Sequence, residues 1–545
     1  MTLDNGTTPS SPAAGAARVP GYAGTLAAAC GAVLVAQVAN ALPASLNGLF
    51  QEDLHTQGSQ LTWITAAFMI AVVVFEFTFG VLGDLFGRRR LVAIGSALVV
   101  VGGAVCATAP DVQMLWLGAG LNGLGAGAMF PGSLALVAAI THTAAERARS
   151  IAVWAGFLSA GAAISPVLGG IFAGIGSWRG SFWVLAGLAL ASAILTLALS
   201  AESSAPEGRG LDVPGQITFA IGLILMLFAA VQGPEDGWGS PHIVGSLVAG
   251  AVFLVAFVLV ERRAASPILN LGLFANRAFT VTSIVAVIGM FAFLGACYGM
   301  SMWLGPVQHQ APLRVAVPFL FLQGPAFVLI PVVSRLLGRV SPVWLLGAGL
   351  VLMAAGCFLA TGLDVADSGL GGVIGPAALI GIGFALTVSS MTAVSLNTVP
   401  LHLAGMASAT TNMLRDLGFA LGPVIVGAVA LSNAGDRFRS ALSGARLPAG
   451  ELGAATEIGR QAGPIAVNSL PPGTPGSAAH ELAMASLGSG FRLAFVVCGV
   501  AALAAAVLTV AGMAGIRATQ PTPESLTDPL HPGLDEAPAI PLPQE

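Results

Sequence analysis

Fourteen long apolar runs dominate this chain and limit the folds that are open to it. A helix that crosses a bilayer needs about 20 mostly apolar residues. Hydrophobic residues make up 56% of the chain and charged residues only 8%, whereas a soluble domain carries about 25% charged residues. The runs therefore predict an all-α integral membrane protein. Its predicted spans 1 to 14 lie at about 23–45, 61–82, 91–109, 113–139, 150–174, 182–200, 214–232, 242–260, 279–304, 315–334, 342–362, 371–395, 405–430 and 491–514.

Arginine residues are distributed unevenly over the predicted loops. Cytoplasmic loops retain positive charge, and the short outer loops hold only Arg179 and Arg314 if the N-terminus is cytoplasmic. This asymmetry predicts that both termini are cytoplasmic. Abundant Ala and Gly, with Arg as the basic residue, is typical of a GC-rich bacterial genome, so we expect the bacterial inner (plasma) membrane. The short inner loops hold Arg88, Arg89, Arg90, Arg147, Arg149, Arg209, Arg262, Arg263, Arg277, Arg335 and Arg339.

Three segments lie outside the predicted spans. Residues 1–22 and 517–545 are polar or Pro-rich and have too little apolar content to fold alone, so we predict disordered cytoplasmic tails. Residues 431–490 form a long outer loop rich in Gly, Ala and Pro, to which we assign no chemistry.

Three sequence patterns recur eight spans apart. Small residues surround a proline in spans 5 and 13, paired glycines recur in spans 4 and 12, and the turn after span 2 has a weaker echo at 335–339. Carriers are commonly built from such repeats. The repeats predict two six-helix bundles at 23–200 and 266–516, separated by a linker and inserted spans 7 and 8 at 201–265. The repeated positions are Gly161, Ser165, Pro166, Gly169, Gly170, Gly418, Gly422 and Pro423, with Gly123 and Gly125 matching Gly381 and Gly383.

The repeated helix motif has two interpretations. Glycines allow close helix contact, and a proline removes one backbone hydrogen bond and bends the helix. Ordinary small-residue packing would explain the glycines about as well. The paired proline in span 13 favours a shaped, moving helix.

The turn between spans 2 and 3 is short, charged and rich in glycine. Its glycines allow backbone conformations and close approach that other residues resist, and Asp84 can accept hydrogen bonds from a helix N-terminus or pair with a nearby Arg. The turn is either a latch for one conformation or an anchor that only keeps the loop inside. Its candidate residues are Gly80, Gly83, Asp84, Gly87, Arg88 and Arg89.

These motifs resemble those of the major facilitator superfamily, specifically its fourteen-helix drug:proton antiporter branch. The family turn Gly-x-Leu-Ala-Asp-Arg-x-Gly-Arg-Lys is matched by Gly80, Leu82, Asp84, Gly87, Arg88 and Arg89, with Leu85 in place of the first Arg. Ser165 replaces one Gly of the span 5 motif. Softer matches are Leu211–Gly215, Gly233–Trp238 and Leu273–Arg277. The resemblance implies a transporter that exports drugs or metabolites by proton antiport, a latch at the turn, and a role in antibiotic resistance.

Two departures from that family bear on coupling. Leu34 stands where many members carry an acidic residue in span 1, and Ala119 stands where span 4 usually has Arg. If protons are exchanged, another carboxylate must carry them. Glu76 is a candidate, because it lies two turns, or about 12 Å, from Asp84. A charge at that depth costs about 2.5 to 3.5 kcal/mol and usually marks function.

We predict that Glu76 pairs with Arg415 across the interface between the halves. Adjacent helix positions do not face each other, so Arg415 and Asp416 are expected to have different partners. Separation of the halves would then allow Glu76 to take up a proton. The alternatives are a static buried ion pair or a neutral Glu76, with Arg415 structural.

The predicted substrate cavity lies between the halves and is mostly apolar. Such a pocket suits a hydrophobic, cationic or neutral organic molecule, and Glu76 could bind a cation directly. Each polar candidate could equally be a contact between helices. The candidates are Gln37, Asn40, Asn122, Gln323 and Asn412, with the aromatic residues Trp63, Phe68, Tyr298 and Trp303.

No enzyme is predicted. The chain has no phosphate-binding loop and no His/Cys spacing typical of a metal site, and its five cysteines lie in apolar runs. We expect no cofactor, no metal and no nucleic-acid partner, and a monomer in the bilayer. Three functions remain open: proton-coupled efflux, a facilitator or carrier with different coupling, and a non-transporting sensor or scaffold.

Overall fold

The computed structural model describes residues 21–56, 59–141, 144–204, 210–264, 267, 269, 271–337, 339–397 and 404–513. The regular elements within these ranges are all helices. Twelve are long and apolar enough to cross a membrane, or up to fourteen if each of two bent pairs is one span. This agrees with the predicted fourteen-span all-α fold. Both predicted tails, apart from residues 21 and 22, lie outside the described residues.

The helices follow the predicted spans closely. Span 1 continues beyond Ala41 as a 3₁₀ turn, Leu42–Ser45, and a short helix, Asn47–Leu54. In order, the spans are Tyr22–Ala41, Gln60–Phe86, Arg88–Ala107, Val112–Ala139, Ala144–Gly174, Trp178–Leu199, Val213–Asp236, Pro241–Glu261, Arg277–Met302 with a π turn Trp303–Val307, Pro312–Val328 with Ile330–Leu337, Pro342–Ala360, Gly371–Asn397, Ala404–Ser443 and His480–Gly512.

Glycines explain how tightly the repeated helices pack. A Cβ added at Gly123 would collide with the backbone of span 2, and one at Gly125 with the backbone of span 3. The corresponding Gly381 and Gly383 meet the backbones of spans 10 and 11 in the same way. The internal repeat is therefore a repeat of helix packing.

Two pairs of helices make the longest contacts between the two halves. Span 2 packs against span 13, and span 5 packs against span 10. These pairs are equivalent under the repeat, and the first confirms the predicted contact between spans 2 and 13. Inserted span 7 packs on span 8 and also on spans 2 and 13, so it contacts both halves. The residue boundaries of the two bundles remain predictions.

Much of the segment 431–490 is helical. Span 13 continues to Ser443, span 14 begins at His480, and a separate helix, Ala449–Asn468, lies between them. We call residues 444–479 the cap. Its helix is broken at Gly463, which has a φ of 73° and precedes Pro464. The predicted end of span 13 at 430 and the predicted start of span 14 at 491 are therefore wrong. Both helices continue past the apolar runs into segments that also carry polar residues.

Candidate functional site

The interface between the two halves, which we call the seam, has two ends, and we name each end after the segment that lies there. The turn face is the end that carries the Gly80–Arg90 turn, and the loop face is the opposite end, which carries the cap. Spans 2 and 13 line the seam along this axis. The predicted coupling residues and the predicted turn lie toward the turn face.

Gly87 makes the turn between spans 2 and 3 possible. Span 2 ends at Phe86 and span 3 begins at Arg88, so Gly87 alone reverses the chain, with φ at 108°. A Cβ at this position would lie 2.6 Å from a carboxylate oxygen of Glu202, which follows span 6. The left-handed conformation and the close approach together require glycine.

Asp84 and Arg88 form an ion pair within the turn. Nη2 of Arg88 lies 2.7 Å and Nε lies 3.0 Å from Oδ1 of Asp84. Arg88 also donates to the carbonyl oxygen of Ala135 in span 4, at 3.3 Å, and the backbone N–H of Arg89 donates to Glu202, at 3.2 Å. These contacts join the turn to span 4 and to the start of the linker after span 6. The role of the turn as a latch stays a prediction.

The small residues of span 5 contact two neighbouring helices, spans 1 and 10. A Cβ at Gly161 would lie 2.7 Å from the carbonyl oxygen of Leu34 in span 1. Gly170 faces the other half, since its added Cβ would lie 2.8 Å from Leu313 in span 10. Gly418 and Gly422 in span 13 similarly meet the backbone of span 9. The motif therefore builds close helix crossings, including one across the seam.

Ser165 adds a hydrogen bond beside Pro166. Its hydroxyl group donates to the carbonyl oxygen of Gly161 at 2.6 Å and lies 3.4 Å from that of Val38 in span 1. A hydroxyl that is bonded to the preceding turn needs no other partner inside the membrane. Ser165, which departs from the family motif, thus fits this crossing.

Glu76, Arg415 and Asp416 lie together at the seam. Arg415 binds Asp416 with two nitrogen atoms, at 2.8 Å from Nε and 3.2 Å from Nη2, and its Nη1 donates to Asn412 at 3.2 Å. The prediction that Arg415 and Asp416 have different partners is therefore wrong. Adjacent positions do point about 100° apart on a helix, but the long Arg side chain bends back along the surface.

The direct partner of Glu76 is Asp416 rather than Arg415. The two carboxyl groups are neighbours at the seam, and the Arg415 guanidinium is close enough to interact with Glu76 through its charge. Both carboxyl side chains are buried, and Oε2 of Glu76 has no hydrogen-bond partner among the described residues. Two adjacent buried carboxyl groups repel when both are ionised, so this arrangement favours one proton on the pair.

The predicted cavity residues fall into two groups. Asn122, Tyr298 and Trp303 are buried in contacts between helices: Asn122 reaches the sulfur of Cys106 at 3.8 Å, and the Tyr298 hydroxyl group lies 2.7 Å from that of Thr62. The half-buried residues are Gln37, Asn40, Gln323 and Asn412. Substrate contact by either group stays a prediction.

Two cavities between the helices are small. One of about 90 Å³ lies at the loop face beside Gly48 and Gly305, and one of about 10 Å³ lies beside Asn122 and Ala119. A drug-sized molecule needs about 300 to 1,000 Å³. Neither cavity can hold such a molecule in this conformation.

Neutral contacts close the loop face. The Asn47 amide group donates to the Ser301 hydroxyl group at 2.9 Å, and Ser301 donates to the carbonyl oxygen of Ala44. A Cβ at Gly48 would lie 3.2 Å from the Cα of Gly305. These contacts join the ends of spans 1 and 9 across the seam, and we call them the seal.

The cap lies over the seal. Gln51, in the N-terminal half, donates to the carbonyl oxygen of Ile465 at 3.2 Å. Asn468 donates to the carbonyl oxygens of Pro306 and Val307, each at 3.1 Å, at the end of span 9. The cap therefore bonds to both halves. Neither the seal nor the cap was predicted from the sequence, although polar Asn47 and Gln51 directly after an apolar span are a usable signal.

Comparison with known proteins places the chain in a family. The model of the Major Facilitator Superfamily matches residues 28–423. Multidrug resistance protein Stp of Mycobacterium tuberculosis is 31% identical over 369 residues, which are 68% of each chain. The tetracenomycin C resistance and export protein of Streptomyces glaucescens is 28% identical over 488 residues, 89% of this chain and 90% of the relative.

A solved structure shows the same fold. It is a bacterial homolog of the human lysosomal transporter Spinster, in an inward-facing and unoccupied conformation, with a TM-score of 0.61 at 14% identity over 91% of this chain and 98% of that one. At this identity the likeness concerns the fold alone. The family match covers most of the chain and confirms the resemblance found in the motifs: this multi-pass membrane protein belongs to the Major Facilitator Superfamily and is a transporter rather than an enzyme.

Proposed function

We propose that this transporter exports a hydrophobic or cationic organic molecule from a bacterial cell by alternating access, in exchange for protons. Relatives of similar length are named for multidrug resistance and for antibiotic export, which supports drugs or endogenous metabolites as the substrate class. The turn face is then the cytoplasmic face, as the arginine distribution predicts.

The observation that carries proton coupling is the contact between Glu76 and Asp416. The two groups belong to opposite halves, and two buried carboxyl groups side by side favour one shared proton. When the halves separate at this point, the carboxyl groups part, and each can ionise as water enters. Proton binding and closure of the seam are thereby linked.

A cationic substrate could take the place of that proton. Two carboxylates facing each other repel, and either a proton or an organic cation relieves the repulsion. Arg415 stays bound to Asp416 and offsets one negative charge. If the pair accepts a proton or a substrate cation, but not both, the two are exchanged across the membrane.

Inverted membrane vesicles test the proposal. We expect dye transport to depend on a pH gradient in the parent, and Glu76→Gln and Asp416→Asn each to lower gradient-driven transport by at least about tenfold, since a carboxyl group that would bind the proton is lost. Glu261→Gln is the matched control, because Glu261 is also buried but lies at the end of span 8. Undiminished coupling in both seam variants would refute the assignment.

The same measurement separates the alternatives. Transport that ignores the gradient in the parent would indicate a facilitator or a carrier with different coupling, as Leu34 and Ala119 suggest. Absence of transport for a panel of dyes, with the protein present and folded, would favour a sensor or scaffold.

A further inference from the structure

Span 2 bends sharply beside Glu76 without a proline. Its segments Gln60–Glu76 and Thr78–Phe86 are inclined by 50°, and the sequence from 60 to 86 contains no proline. The equivalent span 10 bends by 42° between Val328 and Pro331, where proline explains the break. Sharp bends otherwise occur at Gly/Ser pairs, at π bulges or where a side chain enters the backbone hydrogen-bond ladder.

A side chain from inserted span 7 is hydrogen-bonded to span 2 at this point. The amide nitrogen of Gln216 donates to the carbonyl oxygen of Val74, and the amide oxygen accepts from the Thr78 hydroxyl group at 2.5 Å. Val74 and Thr78 are four residues apart, which is the spacing that a helical backbone hydrogen bond joins. One amide group thus bridges the two sides of the bend.

The bridge lies behind Glu76. Residues 74 and 78 share one side of the helix, whereas residue 76 is about 200° away, at about 100° per residue. Gln216 therefore holds the backbone on one side of span 2 while the Glu76 carboxyl group meets Asp416 on the other.

The start of span 7 fixes Gln216 in place. The Asp212 carboxylate caps this helix by accepting from the N–H of Gly215 at 2.9 Å, and Pro214 occupies its first turn. The backbone N–H of Gln216 donates to the carbonyl oxygen of Asp212, also at 2.9 Å. The motif Leu211–Gly215 thereby sets the position from which Gln216 reaches span 2.

We propose that Gln216 is a positioning residue for the Glu76–Asp416 pair, and that inserted span 7 serves to hold the bend of span 2 at this pair. Gln216 does not touch the carboxyl groups; it acts through the backbone of residues 74 to 78. The elements around span 2 carry charged groups at several places. They are Arg415, Asp416, Asp436, Arg437 and Arg439 on span 13, Arg88 to Arg90 on span 3, Glu52 and Asp53 on the helix that follows span 1, and Glu235 and Asp236 at the far end of span 7.

The chain supplies a matched control on the same helix. Gln232 of span 7 accepts from the Ser59 hydroxyl group at 2.8 Å and from the Trp63 indole N–H at 3.0 Å, at the opposite end of span 2. Gln216→Leu and Gln232→Leu each remove one amide tie between the same two helices. Only the first tie is next to Glu76.

The first measurement is modification of Glu76 by dicyclohexylcarbodiimide in the purified full-length protein, followed by mass spectrometry of its peptide. We expect Gln216→Leu to raise the rate of Glu76 modification about fivefold, the factor that corresponds to the loss of one net hydrogen bond. Gln232→Leu should leave this rate unchanged. Thr78→Val removes one partner of the bridge and should raise the rate as well, so the test remains decisive if Gln216→Leu fails to fold.

The second measurement is the pH profile of transport, which rests on the proposed function. We expect the midpoint to shift by about 0.7 pH unit in Gln216→Leu, equivalent to the same fivefold factor, and not to shift in Gln232→Leu. Gradient-independent transport in the parent would refute proton antiport, and the modification rates would still decide the role of Gln216. Equal modification rates in Gln216→Leu, Thr78→Val and the parent would overturn the positioning role.

Discussion

The two ends of the seam are built from different chemistry. At the loop face, the halves meet through neutral groups: glycine backbones in contact and the hydrogen bonds of Asn47 and Ser301. Toward the turn face, they meet through the buried carboxyl groups of Glu76 and Asp416, with Arg415 beside them. Neutral packing does not respond to protons, whereas a carboxyl pair does. Under the proposed coupling, a proton would act on the carboxyl end, and rigid-body motion of the halves would carry its effect to the loop face.

The largest expected effect comes from locking the loop face. Asn47→Cys with Ser301→Cys, in a variant without the native cysteines, places two thiols where a 2.9 Å hydrogen bond now joins the halves. Oxidation should lower transport to below about a tenth, because rocking of the halves requires the seal to open. Reduction should restore it, as a vesicle transport assay would show.

A cross-link within one half is the control. The hydroxyl groups of Ser96 and Ser192 lie 3.3 Å apart in spans 3 and 6 of the N-terminal half. Cysteines at these positions should cross-link without loss of transport. Full activity of the oxidised 47–301 pair would show that the seal does not open during transport.

A smaller effect is expected from overpacking the seal. Gly48→Leu forces a side chain against Gly305, where even a Cβ would lie 3.2 Å from the Cα atom. Overpacking costs about 1 to 3 kcal/mol, so the state open at the loop face should gain at least about fivefold in population. Maleimide labelling of a cysteine placed at Ser301 measures this opening.

Gly31→Leu is the control for that change, because an added Cβ at Gly31 of span 1 meets nothing within 4 Å. It should leave the labelling at position 301 as in the parent. Equal labelling of the Gly48 and Gly31 variants would mean that glycine contact does not hold the loop face closed.

The smallest effect, a loss of stability, is expected from removing the Asp53–Arg179 ion pair, which does not cross the seam. Burial acts to raise the pKa of Asp53, but hydrogen bonds from Arg179 at 2.5 Å and Trp178 at 2.9 Å outweigh it and hold this pKa below its usual value. Both partners belong to the N-terminal half. Asp53→Asn should therefore lower stability without changing access at the seam.

The sign of the pH dependence follows from the lowered pKa. The contribution of Asp53 is present above the pKa of the unfolded chain and is lost as pH falls through the folded value. For an exposed pair, we expect less than about 1 kcal/mol at pH 7. Thermal unfolding in detergent measures the difference, with Glu52→Gln as a control for loss of one charge. A difference between Asp53→Asn and the parent that persists in acid would contradict the ion pair.

Most of the fold could be predicted because the bilayer imposes simple rules. A span needs about 20 apolar residues whatever its neighbours are, so the fourteen runs could be read directly. The cap could not, since its helix, Ala449–Asn468, has polar faces and is held by Gln51 and the end of span 9. The site was predicted in part: Glu76 and Asp416 were chosen for their depth, but their pairing depends on how span 13 is rotated.

The sequence by itself determined that this chain spans a membrane many times, repeats a six-helix unit and belongs with the transporters, because length, apolarity and glycine spacing act locally. Only the tertiary structure decided that Glu76 meets Asp416, that neutral groups close the loop face and that Gln216 bridges the bend of span 2. Each of those contacts joins residues more than a hundred positions apart, and their partners are selected by helix rotation and tilt, which sequence spacing does not encode.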